Sequence, residues 1–368
     1  MIQLKDLCQK ASSNIAQKDL EGHEGQYPIY GASGLIGYVD FYKQENPYVA
    51  VVKDGAGIGR VMCLPEKSSV IGTMQYILPN EGVNVHYLAF AMEHMNLAKY
   101  FSGATIPHIY FKDYGKEKLL ERTEKEQKSI AEILSKMDSL ISLRKQQIAK
   151  LDELVKARFV EMFGDLAAPP CEYPELKLVD VCADADDIKC GPFGTQLNKD
   201  EYKTKGVAVW EIPQINSGFS EMPTHFITEE KAVILNAYSI EPGDIAMSRK
   251  GNVGKCGLFP ENFKKGIIHS DVLRIRVDKR KVDSCFMMYQ LHFSEAVKRQ
   301  IEMVSSGAIM AGINVTKLKQ IKVRIPELEN QRMFAAFVER VNQQKQTVQQ
   351  SLEKLELMKK ALMQEYFG

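Results

Sequence analysis

Nowhere in the chain is there a run of about eighteen uncharged apolar residues, the least that crosses a bilayer as a helix. The segment Met1 to Lys10 is polar and amphipathic, without the apolar centre of a secretory leader. A cytoplasmic protein is therefore expected. Cysteine is sparse: Cys8, Cys63, Cys171, Cys182, Cys190, Cys256 and Cys285 are an odd, scattered set with no C-x-x-C pair, so neither a disulfide framework nor a metal ribbon is expected. Net charge is close to nil, at +1, which argues against a surface that is basic all over. Catalytic signatures are also missing. Gly55-Ala56-Gly57-Ile58-Gly59 superficially resembles a dinucleotide fingerprint, but no helical pattern opens after it and Pro65 soon follows. Asn46-Pro47-Tyr48 lacks the second proline of an Asn-Pro-Pro-Tyr motif, and Gly254-Lys255-Cys256 lacks the earlier Gly and the Ser or Thr of a phosphate loop. None of the seven histidines falls in an H-E-x-x-H or His-Cys spacing.

What is present is ordinary globular composition, 45% apolar and 26% charged, and an internal duplication. Leu4-Lys5-Asp6-Leu7-Cys8 echoes Leu178-Val179-Asp180-Val181-Cys182, and Ile58-Gly59-Arg60 with Pro65-Glu66 echoes Val253-Gly254-Lys255 with Pro260-Glu261. Ser102-Gly103-Ala104, Gln127 and Phe163-Gly164 echo Ser306-Gly307-Ala308, Gln331 and Phe367-Gly368. The offset grows through the first part of each copy and is then constant at 204, so the heads vary in length while the segments that follow do not. Constant spacers with variable heads suit a molecular ruler. Each head reads as α/β (α+β), with β-rich runs such as Tyr48 to Val52 and Leu273 to Val277 broken by Gly, Pro and Asn turns, and then a short helix, His86 to Tyr100 or Cys285 to Met303.

The constant segments, Glu124 to Phe163 and Glu327 to Phe367, contain no proline and no glycine before the closing Phe-Gly. Leu134, Met137, Ile141, Arg144, Ile148, Leu151 and Val155 recur at spacings of three and four, as do Val338, Val341, Lys345, Val348, Leu352 and Leu355. Two helices pairing as a coiled coil are expected, each about 60 Å long at 1.5 Å per residue. The polar seam residues differ between copies, as a single fixed register requires. The organisation that follows is a head over 1–120, a spacer helix over 121–164, a second head over 165–325 and a second spacer helix over 326–368.

Charge is unevenly spread. Between Arg249 and Lys281 ten Lys or Arg face three acids, whereas Asp184, Asp186 and Asp187 collect elsewhere, so one face of the second half is expected to be basic. Lys53, Arg60, His108, Tyr110 and Lys112 in the first head, and Arg249, Lys250, Lys255, Lys264, Lys265, His269, Asn314 and Lys317 in the second, fall in turns or strand ends, where a rigid scaffold holds recognition residues. Lys and Arg neutralise phosphates, and Arg and Asn pair bidentately with base edges. The glycine-rich turns are read as hairpin turns that present Arg60 and Lys255. Two other readings of the chain stay open: a coiled-coil scaffold that does not touch DNA, and a self-contained restriction or methylation enzyme.

A head ending in Ser-Gly-Ala, an Ile109 or Ile313 before a short connector, Glu124-Lys125-Glu126-Gln127 or Glu327-Leu328-Glu329-Asn330-Gln331, a long helix and a terminal Phe-Gly together resemble the specificity subunit of type I restriction-modification systems. Nearly the whole chain takes part. The second connector is close to the family's Pro-Pro-x-x-Glu-Gln; Arg122-Thr123 stand where the first would have prolines. The resemblance implies two target-recognition domains, each reading half of a bipartite DNA site. It also implies an antiparallel coiled coil that sets their separation and docks two methyltransferase subunits, with restriction subunits joining later. S-adenosylmethionine, ATP and magnesium then belong to those partners, and this subunit needs no cofactor.

Overall fold

The computed structural model describes residues 1–103, 107–164, 166, 172–305 and 312–368. Ala104, Cys171 and Ser306-Gly307-Ala308 lie outside the described residues. Two compact units are present, Met1–Ile148 with Thr347–Gly368, and Ala149–Gln346.

In the first unit Tyr48–Val52 is buried at every position because both faces of its sheet are covered. The four strands lie in the order Cys8–Ser12, Met74–Pro79, Tyr48–Val52, Val61–Leu64, all antiparallel. Alternation sends Val49 and Val51 into one core with Leu4, Tyr87, Leu88 and Leu134, while Tyr48, Ala50 and Val52 pack on Leu64, Met74 and Tyr76 behind. A smaller sheet joins Gly34–Val39 to Tyr27–Gly31, and Tyr27–Gly31 in parallel to Ser69–Val70.

The second unit repeats this plan. Its main sheet runs Ile188–Cys190, Val272–Ile275, Ile245–Ser248, Cys256–Leu258, and its smaller sheet has four strands, His225–Ile227, Val207–Trp210, Gly266–Ile268 and Ser239–Ile240. The longer head of the second copy thus has an extra strand in its smaller sheet.

The structure explains residues that the repeat singled out. Gln127 is 5% exposed and Gln331 is fully buried. Gln127 Oε1 accepts the Asn84 N–H and its Nε2 donates to the Arg122 carbonyl, while Gln331 Oε1 accepts the Asp283 N–H and its Nε2 donates to the Pro326 carbonyl. Asn84 and Asp283 in turn cap the helices Val85–His94 and Ser284–Phe293 by accepting two backbone N–H groups each. The closing phenylalanines dock on those same helices: Phe163 meets Phe286 at 4.8 Å between ring centroids, and Phe367 meets Tyr87 at 5.3 Å. Each copy therefore ends on the head of the other copy. The single short helix expected in each head is broken in two. Asn96 sits in the left-handed region (φ 49°) after His94 and is followed by a short turn of helix, Leu97–Tyr100; Ser294, in extended backbone, separates Ser284–Phe293 from Glu295–Ser305.

The long helices, Glu124–Phe163 and Leu328–Phe367, have 40 residues each. Their pairing is antiparallel. Within the first unit Asp138 meets Lys359 at 2.8 Å, Lys145 meets Glu356 at 3.0 Å and Arg144 Nε donates to Ser351 Oγ at 3.2 Å; within the second, Lys345 meets Asp152 at 2.6 Å. Leu134, Met137, Val155, Val338, Val341, Val348 and Leu352 are buried, and Ile141, Ile148, Leu151 and Leu355 half-buried, so the apolar seam faces inward. The polar seam residues Arg144 and Lys345 find the Ser351 and Asp152 partners just named.

Candidate nucleic-acid interface

One junction recurs in both units. The strand Tyr48–Val52 runs into a hairpin loop whose Lys53 carbonyl accepts the Ile109 N–H at 3.0 Å; Ile245–Ser248 runs into a loop whose Arg249 carbonyl accepts the Ile313 N–H at 3.0 Å. The chain segment before a four-residue helix is thereby tied to the glycine-rich hairpin, and Tyr110 and Asn314 occupy the same position, the residue preceding Phe111–Tyr114 and Val315–Leu318. Gly59 has φ +80° and a Cβ there would come within 2.4 Å of the Ala98 nitrogen, which is why glycine is needed in that turn.

In the first unit this junction gathers Lys53, Asp54, His108, Tyr110 and Lys112. Asp54 pairs with Lys53 and takes His108 Nδ1 at 2.6 Å. Burial alone raises the Asp54 carboxyl, but the hydrogen bonds from Lys53 and His108 outweigh it and hold the group below the usual carboxylate range. The His108 and Tyr110 rings stack at 6.4 Å, and Lys112 Nζ lies 5.2 Å from the Tyr110 ring centre. Arg60 stands apart from this cluster, its Nη1 donating to the Ala32 carbonyl at 2.7 Å.

In the second unit the candidates divide. Lys255 Nζ donates to the Asn216 carbonyl at 2.7 Å, so it ties the hairpin to the end of the helix Ile212–Asn216, as Arg60 ties its own to Ala32, both within the segment after the first strand of the smaller sheet. Lys250 pairs with Asp271 at 2.8 Å and Lys265 with Glu241 at 2.9 Å; His269 Nδ1 accepts the Asp271 N–H. Lys264 and Lys317 are exposed. Asn314 Oδ1 caps its helix by accepting the Lys317 N–H at 3.0 Å. Arg249 Nε donates to the Ile313 carbonyl at 3.2 Å and its guanidinium lies 4.9 Å from the ring centre of Phe193.

The expected basic stretch is not one free face. Arg274 is 4% exposed and donates to the carbonyls of Asp186 and Ser239 at 2.8 Å, Arg276 grips Asp244 with two bonds of 2.7 Å, and Arg280 holds Asp278. Phe193, in a Gly191-Pro192-Phe193-Gly194 turn, did not emerge from sequence reasoning; its turn residues are a signal, but its partner Arg249 is distant in the chain. The same holds for a cavity of about 560 Å³ in the second unit, where Glu211 accepts His225 Nδ1 at 2.7 Å and Tyr202 stacks on His225 at 4.6 Å.

A profile of the type I restriction modification DNA specificity domain matches residues 1–153 and, a second time, residues 178–357. The chain belongs to this family. Among relatives of this specificity-subunit chain, the specificity subunit of the type I restriction enzyme MjaVIII from Methanocaldococcus jannaschii is 24% identical over 98% of this chain and 89% of its own length. A second protein of that organism, the putative type I restriction enzyme MjaX specificity subunit, is 24% identical over 98% and 91%. The crystal structure of a type I restriction-modification S subunit from M. genitalium has the same fold, with a TM-score of 0.66 at 16% identity, covering 100% of this chain and 95% of that one. A structure concerned with complex assembly and conformational transition of a type I system matches with a TM-score of 0.55 at 14% identity over 99% and 96%.

Burial pushes the thiols of Cys8, Cys182, Cys256 and Cys285 up to about 12, away from a reactive thiolate. Among the described residues no group of three or more His, Cys, Asp or Glu could hold a metal ion, and no helix is long and apolar enough to cross a membrane.

Proposed function

We propose that this chain reads a bipartite DNA target, one half with each unit, and performs no chemistry itself, leaving methyl transfer and cleavage to subunits that dock on its long helices. The observation that carries the reading is the recurring junction of hairpin loop and pre-helical segment, with Lys53, His108 and Tyr110 at one and Arg249 and Asn314 at the other. Loops fixed by sheet and cap are rigid enough to present side chains to base edges. Apolar side chains left exposed on the long helices support docking: Ile133, Leu140 and Leu143 on the first, Leu357 and Met358 on the second. S-adenosylmethionine, ATP and magnesium are assigned to the docked subunits.

Selection of binding sites from a random duplex pool by the full-length chain, alone and with its methyltransferase partner, tests this. Two short specified segments separated by a fixed unspecified gap are expected. One contiguous motif, or none, would overturn it; a pure scaffold would enrich nothing.

A further inference from the structure

The side chain of Arg249 has been set apart from the other cations of its hairpin. Lys250 is neutralised by Asp271, Lys255 is spent on the Asn216 carbonyl and Lys265 on Glu241. Arg249 has no carboxylate partner among the described residues and, unlike Lys255, keeps two further donor nitrogens once its bond at Nε is made. Its Nε donates to the Ile313 carbonyl at 3.2 Å, which anchors the guanidinium, and the ring of Phe193, 48% exposed, backs it with 4.9 Å between Cζ and the ring centre. Among the described residues nothing accepts from Nη1 or Nη2. An arginine anchored at Nε and backed by a ring, with no acceptor at its terminal edge among the described residues, is prepared to donate two parallel hydrogen bonds. In the major groove the acceptor pair that matches this edge is O6 and N7 of guanine. The corresponding residue of the first unit, Lys53, is bound to Asp54 and offers no such edge.

We propose that Arg249 is a specificity-determining residue that reads one guanine in the half-site of the second unit, and that Phe193 is its positioning residue. This rests on the DNA-reading function proposed above. It goes beyond it by naming the base and by predicting an asymmetry, with no guanine read from the Lys53 position.

The test uses the full-length chain and its selected duplexes. Wild type should enrich a guanine at one position of one half-site, and replacing that guanine by 7-deazaguanine, which lacks the N7 acceptor, should weaken binding roughly 5- to 150-fold. Arg249→Lys should relax the choice at that position alone and lose its sensitivity to 7-deazaguanine, with the other half-site unchanged. Phe193→Ala should do the same in part, and Phe193→Tyr should restore it, which a residue that merely supports the fold would not do. If no sequence is enriched by wild type, DNA reading itself fails and this proposal with it. If wild type selects two half-sites but Arg249→Lys selects the same two, with the salt dependence unchanged because lysine keeps the charge, Arg249 is at most a phosphate contact and the guanine assignment alone is wrong. Should a variant fail to fold, the base analogue on wild type still decides: no position whose 7-deazaguanine substitution weakens binding in the second half-site means no such reader.

Discussion

Asn314 caps its helix, and the DNA-reading function proposed above would give the same side chain a second use. Its carbonyl oxygen is committed to the Lys317 N–H, while the amide nitrogen remains for a base edge. Asp caps as well as Asn but donates nothing, so Asn314→Asp should keep stability and Asn314→Ala should lose about 1 kcal/mol, a few degrees in thermal unfolding. Equal losses in both would show that the cap contributes nothing. Asp278 makes a different kind of prediction. Two hydrogen bonds from the Arg280 side chain, at 2.9 and 2.8 Å, and one from its N–H at 3.0 Å hold the carboxyl down to about 2. A folded pKa below the unfolded one gives stability that is complete above about pH 4 and is lost as pH falls through the folded value. Wild type should accordingly exceed Asp278→Asn in thermal stability at neutral pH, and the gap should close between about pH 4 and 2. A gap independent of pH over that window would rule out the pairing as its source.

At the scale of elements, magnitude separates what holds the helix pair together from what sets its register. Leu352 is 6% exposed in the seam, and truncating such a leucine typically costs about 2 to 5 kcal/mol. Lys345 and Asp152 are 37% and 62% exposed, and a pair so open contributes at most about 1 kcal/mol. Denaturant unfolding should thus show Leu352→Ala far more destabilised than Lys345→Ala; the reverse order would mean that the ion pair and not the seam carries the association. Much of this was legible in the sequence, because a three-four rhythm without glycine or proline is a local signal. So was the duplication. The reason for the terminal Phe-Gly was not legible, since Phe163 and Phe367 meet Phe286 and Tyr87 only through tertiary packing. Nor could charge counting see that Arg274 and Arg276 are consumed inside the second head, or that Phe193 backs Arg249. Pairing partners far apart in the chain leave no periodic trace.

The whole molecule is two copies of one plan with different edges at the same junction, Tyr110 and His108 in one and Asn314 and Arg249 in the other. Under the proposed function, that difference suits two unlike half-sites. Because the proposed function leaves methyl transfer and cleavage to docked subunits, the purified chain is expected to transfer no methyl group and cleave no duplex on its own. Incubation with labelled S-adenosylmethionine and DNA checks this, and incorporation of label would refute it.

The reciprocal docking of the two closing phenylalanines has a consequence for biosynthesis. The second unit is a continuous stretch, residues 149–346, and its core is complete once that stretch has been made. The first unit is not: Met363 and Phe367 belong to the same core as Leu4, Val49 and Tyr87. On the ribosome, the head translated first therefore waits for the segment translated last, and the usual order in which the N-terminal domain closes before its successor is inverted.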